Sequence, residues 1–450
     1  MNSSIFKAYD IRGVFPDDLD ADAARAIGIG VARLLGAGSV SVGVDMRESG
    51  RLLYEALVAG LCGEGREVIG VGRVSTPMLY FASTVLEAAG GVMITASHNP
   101  GRYNGFKVCG PRARPVGIET GLAEIQAVAE QVLEAPPAPA RGSVRRESVA
   151  RDYVRSLLDL FPARPHLRVV LDAGNGIAGE AIEGLLSALP LDVERLFFEP
   201  DGSFPNHEAD PLKPENLVDL QNAVRECGAD LGVAFDGDGD RAVFVDESGT
   251  AVPADLTTAL FVGSILEHGL LGAKQGDPVV YDLRSSRVVA ETVSQHGSKA
   301  VRCRVGHAFM KARMREQNAP FGGELSGHYY FRFPYGYVAD DGAAAFMLML
   351  ETLDRSGRPL SELCRPFRVY SQSGEVNRRV SDLPGTLARV RDAFPDGEVD
   401  ELDGLTVQFA DWWFNLRPSN TEPLLRLNVE APSEREMLER RDQVLSLIEE

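Results

Sequence analysis

The stretch DADAARAIGIGVARLLGAGSVSVGVD, residues 20–45, joins a helix to a strand in an order that decides the fold. Its first part, as far as Gly36, places apolar residues at helical spacing, and Asp20 is a suitable N-cap. Its last part, VSVGVD, is a short apolar run typical of a buried strand. A helix followed at once by a buried strand predicts a mostly parallel sheet covered by helices.

The same alternation continues beyond this stretch in both the first and the later parts of the chain. SGRLLYEALVAGLCGEG, EVIGVG and STPMLYFASTVLEA read as helix, strand and helix, the last with Ser75 or Thr76 as cap and Pro77 in its first turn. A Pro/Ala-rich break at residues 135–143 follows, and the alternation then appears twice more. The chain therefore predicts three similar α/β domains with mixed, mostly parallel sheets.

The pattern changes after about residue 360. GLTVQFADWWFNLRPSNTEPLLRLNVEA predicts antiparallel strands flanking a loop, and SEREMLERRDQVLSLIEE predicts a closing helix in which Ser433 and Glu436 have capping-box spacing. We therefore predict a C-terminal α+β domain. The predicted domains are residues 1–140, 141–250, 251–360 and 361–450.

The composition of the 450-residue chain excludes several classes of protein. A net charge of -19 argues against nucleic-acid binding, which requires a basic face. The five cysteines are scattered without a C-x-x-C pair, which predicts reduced thiols. No apolar run reaches the roughly 18 residues of a membrane span, and the start MNSSIFKAYD does not resemble a signal peptide. We expect a cytoplasmic protein that binds neither membranes nor nucleic acid.

Residues 91–108, GVMITASHNPGRYNGFKV, begin as a buried strand and end in polar residues around Ser97. A serine is a weak nucleophile without a base, a lowered pKa or a metal. His98 adjoins it, but neighbouring side chains of an extended segment point to opposite faces, so a Ser–His dyad is not expected. A ligand loop at the strand end is one interpretation. A turn whose hydroxyl bonds its own backbone is the other.

FDGDGDR, residues 235–241, follows an apolar strand with three aspartates at alternate positions. In an extended loop this spacing places Asp236, Asp238 and Asp240 on one side, where they repel one another unless a cation neutralises them. An EF-hand is excluded, since Arg241 occupies the position of its required glycine and a strand precedes the loop. Mg²⁺ fits better, and Arg241 suits a phosphate-bearing ligand. A solvated acidic turn remains the alternative.

GGELSGHYYF, residues 322–331, carries Glu324, Ser326 and His328 at alternate positions, which predicts that they project to the same side. A carboxylate and a hydroxyl together can accept and donate hydrogen bonds to neighbouring sugar hydroxyls. A polar edge strand explains the pattern equally well.

LRPSNTEP, residues 416–423, combines one cation with hydroxyls and an amide between two prolines. Arg417, Ser419, Asn420 and Thr421 could form an anion nest for a phosphate, or an ordinary hairpin loop.

Isolated polar residues elsewhere in the chain carry less information. Taken singly, each is a surface charge or a satisfied polar group. Together they could supply the local positive charge that an acidic chain needs for an anionic ligand: these residues are Arg12, Lys107, Arg284, His307 and Lys311.

TASHNP, DGDGDR, GELSGH and RPSNTEP, in this order and spacing, resemble the motifs of the α-D-phosphohexomutase superfamily, most closely its bacterial phosphomannomutase/phosphoglucomutase branch. The resemblance implies four domains around one central cleft. It also implies reversible phosphoryl transfer between the 1- and 6-positions of glucose and mannose phosphates, through a phosphoserine enzyme and a hexose 1,6-bisphosphate. Glucose 1,6-bisphosphate would be activator and intermediate, and the enzyme would act as a monomer on small hexose phosphates.

The resemblance also assigns residues to roles. Ser97 would carry the phosphoryl group, and an oxygen of it would complete the Mg²⁺ site of Asp236, Asp238 and Asp240. Lys107 would handle protons at the attacking or leaving oxygen. The other catalytic positions would be Arg241 and His307. The substrate-binding positions would be Arg12, Arg284, Glu324, Ser326, His328, Arg417, Ser419, Asn420 and Thr421.

Two departures bear on specificity. Arg284 stands where the family pattern leads us to expect a lysine, so its role differs in reach and geometry. Leu325, an apolar residue in the sugar motif, favours unmodified hexoses over glucosamine. A phosphoglucosamine mutase, a non-catalytic phosphosugar-binding protein and a metal-dependent phosphatase remain as alternatives.

Overall fold

The structure is a computed structural model that describes residues 2–136, 138–418 and 424–449. Four sheets follow one another along the chain. The first three are mixed sheets with helices packed on them, and the strands described in the fourth pair antiparallel. This confirms the predicted fold class of three α/β domains and a C-terminal α+β domain. Within the described residues, no helix has both the length and the apolar character needed to span a membrane.

The first domain is built on a seven-stranded sheet. Its strands are β1 (Ile11–Val14), β2 (Val40–Val44), β3 (Val68–Arg73), β4 (Gly90–Ile94), β5 (Tyr103–Gly110), β6 (Arg114–Pro115) and β7 (Val144–Arg146). Its helices are α1 (Ala21–Leu35), α2 (Gly50–Gly63), α3 (Thr76–Val85) and α4 (Leu122–Val132). The strand order is β1-β5-β4-β2-β3-β7, with β6 beside β5. Asp20 caps α1 and Ser75 caps α3, as the sequence predicts.

Strand β7 returns to the first sheet after the Pro/Ala-rich segment. It pairs parallel to β3, with Val68 opposite Val144. The first sheet therefore extends past residue 140, where the sequence places the first domain boundary. A boundary after β7 would keep this sheet whole.

The second and third domains repeat the α/β plan with five strands each. The second contains β8 (Arg168–Asp172), β9 (Asp192–Leu196), β10 (Leu231–Phe235), β11 (Ala242–Val245), β12 (Ala251–Val252), α5 (Ala150–Leu160), α6 (Ala178–Ala188) and α7 (Val218–Cys227). The third contains β13 (Pro278–Asp282), β14 (Lys299–Cys303), β15 (Phe321–Gly323), β16 (Tyr329–Arg332), β17 (Val338–Asp340), α8 (Ala254–His268), α9 (Arg287–Gln295), α10 (His307–Gln317), α11 (Gly342–Ser356) and α12 (Leu360–Cys364). The orders are β12-β11-β10-β8-β9 and β14-β13-β15-β16-β17.

In each of these three sheets, one strand marks the change from parallel to antiparallel pairing. Strands β4, β10 and β15 each pair parallel with an earlier strand and antiparallel with the strand that follows in sequence. A short loop makes the antiparallel connection, whereas a parallel one needs a long crossover. The sequence overstates the parallel share because a buried apolar strand looks the same in either direction. The three loops, residues 95–102, 236–241 and 324–328, therefore occupy equivalent places in their sheets.

The fourth domain contains β18 (Ser371–Gln372), β19 (Val376–Arg379), β20 (Glu398–Asp400), β21 (Leu405–Gln408), β22 (Trp413–Pro418), β23 (Leu424–Ala431), α13 (Leu383–Ala393) and α14 (Glu434–Glu449). The order is β18-β23-β22-β21-β20, with β19 beside β23. Ser433 Oγ accepts a hydrogen bond from the backbone N–H of Glu436 at 3.3 Å, which confirms the predicted cap. The predicted phosphate loop connects β22 to β23, and its residues 419–423 lie outside the described residues.

The apolar cores divide the molecule differently from the sheets. One cluster of buried residues runs through the first three domains, from Ile69 to Cys364. A second cluster fills the other face of the first sheet. The fourth domain has a separate cluster that includes Trp412 and Phe414.

Candidate active site

Nine of the side chains proposed from the sequence line a single cleft of about 740 Å³. They come from the first three domains, which meet at this cleft. These residues are Arg12, Ser97, Lys107, Arg241, Arg284, His307, Glu324, Ser326 and His328. The three aspartates lie behind this lining: Asp236 contacts Ser97, and Asp238 and Asp240 contact Lys107.

Ser97 lies in the loop after β4, in a backbone conformation that is rare for residues other than glycine. Its φ angle is 50°, in the left-handed region, which is a strained position for a serine. The backbone N–H of Ser97 donates to Thr95 Oγ1 at 2.9 Å. The side-chain Oγ donates to Asp236 Oδ2 at 2.8 Å. The hydroxyl is therefore directed at the acidic loop of the second domain.

His98 does not point away from Ser97, so the sequence-based expectation of opposite faces is wrong. His98 Nδ1 lies 3.3 Å from Ser97 Oγ. The expectation assumed extended backbone, and the left-handed conformation of Ser97 turns the next side chain back. Burial, together with the cations Arg241 and Arg12, lowers the pKa of His98 well below its usual value. A neutral imidazole thus stands beside the hydroxyl.

Arg47 holds the Ser97 loop in place and was missed in the sequence. Its two Nη atoms donate hydrogen bonds to four backbone carbonyls between Ser97 and Tyr103, at 2.7 to 2.9 Å. Its Nε lies 3.2 Å from Asp45 Oδ2, and both side chains are fully buried. The available signal was the pair Asp45 and Arg47, two residues apart at the end of a buried strand.

The three aspartates converge, as predicted, although the loop that carries them is a turn and not the extended segment assumed from the sequence. Ligand oxygens of Asp236, Asp238 and Asp240 lie within 4.8 Å of one another, and all three residues are buried. Gly239 has a φ angle of 76°, which turns the chain around the site. Burial and the two neighbouring carboxylates raise the pKa of Asp236 well above its usual value. Three buried carboxylates this close together need cations to offset their repulsion.

Besides Ser97, two other side chains from the first domain contact these carboxylates. Lys107 Nζ donates to Asp238 Oδ2 at 2.7 Å and to Asp240 Oδ2 at 2.6 Å. Burial alone would lower the pKa of Lys107, but the two carboxylates outweigh it and raise the pKa well above its usual value. Thr76 Oγ1 also donates to Asp238 Oδ2, at 2.6 Å. The sequence indicated Thr76 only as a possible helix cap.

The acidic cluster fits a magnesium ion. Its donors are carboxylate oxygens, the ligands that Mg²⁺ prefers. Asp238 Oδ1 is buried and has no hydrogen-bond partner among the described residues. A Cβ atom on Gly237 would lie 2.4 Å from the Ser97 carbonyl oxygen, so this glycine lets the two loops meet. The Ser97 hydroxyl, 2.8 Å from Asp236 Oδ2, thereby lies beside the same cluster of oxygens.

The sugar-motif residues also converge on a turn and not on the predicted extended strand. Ser326 Oγ lies 2.8 Å from His328 Nδ1, and Glu324 Oε2 lies 3.4 Å from the same atom. Tyr330 donates its hydroxyl to Glu324 Oε2 at 2.6 Å. His328 Nε2 lies 3.3 Å from Asp240 Oδ1. Burial alone would lower the pKa of His328, but Asp240 and Glu324 outweigh it and raise the pKa to about 9.

Two arginines place positive charge next to the serine loop. Arg12 donates to Asn99 Oδ1 and to Asp10 Oδ2, both at 2.6 Å. Arg241 Nε lies 3.6 Å from Asp236 Oδ2. Both cations line the cleft, so an anionic ligand there would meet a locally positive surface on an acidic protein.

Arg284 and Arg417 approach the same carboxylate, that of Glu375, where the third and fourth domains adjoin. Arg284 Nη2 lies 2.9 Å from Asp282 Oδ2 and 3.6 Å from Glu324 Oε1. Arg417 does not line the cleft directly, but its Nη2 lies 3.5 Å from Glu375 Oε2. Arg284 Nη1 lies 3.9 Å from the same oxygen. The remaining proposed phosphate ligands, Ser419, Asn420 and Thr421, lie outside the described residues.

Three α/β domains and an α+β domain, with a serine and a polar loop in one cleft and an acidic cluster behind the serine, are the arrangement of a phosphohexose mutase. Four family descriptions match the chain: phosphoglucomutase/phosphomannomutase alpha/beta/alpha domain I at residues 3–135, domain II at 151–249, domain III at 253–370 and the C-terminal domain at 375–447. The chain belongs to the phosphoglucomutase/phosphomannomutase family. The resemblance seen in its motifs is confirmed.

Several similar proteins match the chain over almost its full length. A Xanthomonas campestris protein named "Phosphohexose mutases" is 42% identical over 452 residues, covering 99% of each chain. An Escherichia coli phosphomannomutase is 36% identical over 457 residues, covering 98% of each. The crystal structure of a family protein from Burkholderia thailandensis matches with a TM-score of 0.89 and 35% identity, over 99% of this chain and 97% of that one. The chain is accordingly a hexose-phosphate mutase, an isomerase that moves a phosphoryl group.

Proposed function

We propose that this enzyme interconverts the 1- and 6-phosphates of glucose and of mannose, through a phosphoserine at Ser97 and a hexose 1,6-bisphosphate. The observation that carries the proposal is the hydrogen bond from Ser97 Oγ to Asp236 at 2.8 Å. It places a hydroxyl against an acidic cage, in a cleft that Glu324 and Ser326 also line. A phosphoryl group on this oxygen would lie between a cation site and the groups suited to bind a sugar.

The proposed cycle consists of two balanced transfers. In the first, the P–O bond to Ser97 Oγ breaks and a new P–O bond forms to the free hydroxyl of a hexose 1-phosphate. The proton that this hydroxyl loses ends on the released Ser97 oxygen. In the second, the other phosphate of the bisphosphate returns to Ser97, and the sugar oxygen that it leaves takes up the proton. Glucose 1,6-bisphosphate supplies the first phosphoryl group to an unphosphorylated enzyme.

Charge neutralisation is the main task of the surrounding residues. Mg²⁺, held by Asp236, Asp238, Asp240 and an oxygen of Ser97, would neutralise charge on the transferring group. Lys107 is held as an ammonium by two carboxylates, which supports a role as proton donor or neutralising cation at the leaving oxygen. Arg241 would neutralise negative charge on the equatorial oxygens of the transferring phosphoryl group. Positioning and electrostatics would supply most of the rate.

The remaining residues would bind the sugar and its second phosphate. Glu324 would accept a hydrogen bond from one sugar hydroxyl, and Ser326 would donate one to its neighbour. Because sugar hydroxyls both donate and accept, the same pair of side chains could bind the bisphosphate in either orientation. The groups that would bind the phosphate and the sugar edges are Arg12, Arg284, His307, His328, Arg417, Ser419, Asn420 and Thr421. The apolar Leu325 supports unmodified hexoses as substrates.

Phosphorus NMR with matched substrates tests this function. Glucose 1-phosphate, mannose 1-phosphate and glucosamine 1-phosphate are supplied with Mg²⁺ and a trace of glucose 1,6-bisphosphate. We expect the 6-phosphates of glucose and mannose to form, and chelation of the metal to stop the reaction. Preference for the amino sugar would identify a phosphoglucosamine mutase. Release of inorganic phosphate without isomerisation would identify a phosphatase, and binding without turnover would contradict an enzyme. Light scattering during turnover tests the proposed monomer.

A further inference from the structure

Lys311 is a fully buried cation behind the cleft that has no role in the proposed cycle. It lies on α10, one turn after His307, and its side chain is 0% exposed. Its Nζ lies 2.7 Å from Asp340 Oδ1 and 4.3 Å from the centre of the Tyr80 ring. The third neighbour of Nζ is His307 Nδ1, at 3.3 Å. A carboxylate, an aromatic face and an imidazole nitrogen thus surround one ammonium group.

The chemistry of an ammonium group fixes the protonation of the imidazole. Lys311, paired with the Asp340 carboxylate, has N–H donors and no acceptor. His307 Nδ1 must therefore accept from Lys311 Nζ and carries no proton itself. A neutral imidazole with a bare Nδ1 carries its proton on Nε2. Burial and the cations Lys311 and Lys107 also lower the pKa of His307 well below its usual value, which agrees with a neutral ring.

The other nitrogen of the same ring has no acceptor among the residues that the structure describes. His307 Nε2 is buried and without a hydrogen-bond partner in the described parts of the chain. His307 lines the cleft, and the ring of Tyr9 packs edge-on against it at 4.7 Å. The backbone N–H of Gly306 donates to Glu324 Oε1 at 3.0 Å, which holds the start of α10 against the sugar loop. A buried N–H without an acceptor is costly unless a ligand oxygen completes it.

We propose that Lys311 is a positioning residue that fixes His307 as the tautomer with its proton on Nε2, so that His307 donates a hydrogen bond to an oxygen of the bound phosphosugar. Asp340 and Tyr80 hold Lys311 in place, and Lys311 itself does not touch the ligand. Tyr80 belongs to the first domain and Asp340 to the third, so the device also depends on how these domains pack. The identity of the acceptor depends on the proposed function, whereas the tautomer does not.

Nitrogen NMR of the complete, unmodified protein tests the tautomer directly. The histidine rings are labelled with ¹⁵N, and the His307 signals are assigned by their loss in His307→Gln. We expect a bare, pyridine-type Nδ1 and a protonated, pyrrole-type Nε2 around neutral pH. A proton on Nδ1, or on both nitrogens, would overturn the proposal. Because this measurement needs no turnover, it gives an answer even if the enzyme proves not to act on glucose or mannose phosphates.

A double-mutant cycle tests the coupling to the ligand. Lys311→Met removes the ammonium and keeps most of the volume. We expect kcat/KM to fall about 10- to 100-fold, the range found for residues that orient a metal-bound histidine. In the His307→Gln background the same change should have little further effect, because there is no longer a tautomer to fix. Equal losses in both backgrounds would show a merely structural role and contradict the proposal.

Two further variants keep this cycle interpretable. Met314→Leu, a buried change of similar volume on the same helix, is the packing control and should leave kcat/KM within a few-fold of the unchanged enzyme. If Lys311→Met does not fold because Asp340 is left unpaired, the double change Lys311→Met and Asp340→Asn removes both charges. We expect mixed His307 tautomers in that variant. An unchanged Nε2–H tautomer there would contradict the role of Lys311.

Discussion

The contacts that join the first three domains to one another differ in kind from those that join the fourth domain to the third. The first three share one apolar cluster, in which Phe81 of the first domain packs on Tyr153 of the second at 5.7 Å. The described contacts of the fourth domain with the third are largely polar. Arg302 Nη1, for example, lies 2.6 Å from Asp400 Oδ2, and Arg287 Nη1 donates to the Ala410 carbonyl at 2.9 Å.

This difference separates the residues proposed for chemistry from those proposed to hold the second phosphate. A shared apolar core resists sliding, since any shift opens voids and loses contacts. Partly exposed polar contacts such as the one between Arg302 and Asp400 exchange partners at small cost. Ser97 and the aspartate cluster therefore lie in a fixed frame, whereas Arg417 belongs to the domain whose attachment can adjust. The proposed cycle, in which the cleft admits, turns and releases a bisphosphate, would need both.

Among the proposed variants, Asp238→Asn, in the part of the molecule built on the shared apolar core, should lower activity most. Removal of one charge from the cage weakens metal binding and lets Lys107 repel the ion, so we expect kcat to fall about 1,000-fold or more, roughly 4 kcal/mol of barrier. Steady-state kinetics with a magnesium titration measures this. The control is Asp246→Asn, a buried carboxylate of the same domain that accepts hydrogen bonds in a turn away from the cleft. A tenfold loss or less in Asp238→Asn would contradict the cage.

Arg47→Met should be the next largest, because it loosens the Ser97 loop and leaves Asp45 buried without its partner. We expect a loss of about 3–5 kcal/mol in the free energy of unfolding. Because the loop loses four hydrogen bonds, kcat should fall about 100-fold. Arg51→Met, at an arginine whose side chain is 88% exposed, is the control and should change neither quantity.

A second variant separates stability from positioning at this site. Adding Asp45→Asn to Arg47→Met removes the unpaired charge and should recover much of the stability, measured by urea unfolding. The kcat should stay low, since the backbone carbonyls of the Ser97 loop still lack the hydrogen bonds from Arg47. Recovery of kcat together with stability would show that Arg47 serves only the fold.

A smaller effect should depend on pH at the boundary of the second and third domains. Tyr153 donates its hydroxyl to both oxygens of the buried Asp341 at 2.9 Å, and burial raises the pKa of Asp341 to about 7, well above the usual range of an aspartate. The folded state thus keeps a proton that the unfolded state loses. The stability that this proton contributes is present below about pH 4 and is lost as the pH rises through about 7.

Asp341→Asn isolates this contribution. The variant cannot ionise, so its stability relative to the unchanged protein should rise between about pH 4 and about pH 7 and then level off. Urea unfolding of both proteins at about pH 5 and about pH 8 measures the difference. A difference that does not change with pH would refute the titration.

The smallest effect on stability should come from the polar contacts between the third and fourth domains. Arg302→Ala removes a partly exposed ion pair, so we expect at most about 1 kcal/mol of stability to be lost. Hydrogen exchange should become faster in β20 and β21 and stay unchanged in β10. Arg168→Ala, which breaks an exposed ion pair with Asp192 in the second domain, should leave β20 and β21 unaffected. Accelerated exchange across the first three domains would mean that the fourth is part of one rigid body.

Much of the fold and of the site could be predicted because the signals are local. Apolar periodicity and caps such as Asp20 and Ser75 depend on residues close in sequence. The polar loops could be found because each interrupts an apolar strand with groups that a core would exclude. The sequence also predicts that Asp236 and Glu324 follow the ends of strands, and in the structure Glu324 lines the cleft while Asp236 lies behind it, against Ser97.

The rest depends on contacts between distant residues or on a single backbone angle. Arg47 acts on carbonyls about 50 positions away, and Thr76 bonds Asp238 across a domain boundary, so neither has a local signal. The orientation of His98 depends on the left-handed conformation of Ser97, which no side-chain pattern reveals. The direction of strands after β4, β10 and β15 is set by pairing, which apolar runs do not encode.

Intact-mass analysis tests the central claim, that Ser97 stores the phosphoryl group. The purified protein is incubated with glucose 1,6-bisphosphate and Mg²⁺, freed of ligand, and compared with Ser97→Ala treated in the same way. The account predicts one added phosphoryl group on the unchanged protein, located to the peptide that contains Ser97, and none on the variant. Equal phosphoryl occupancy in Ser97→Ala, or full mutase activity in that variant, would contradict it.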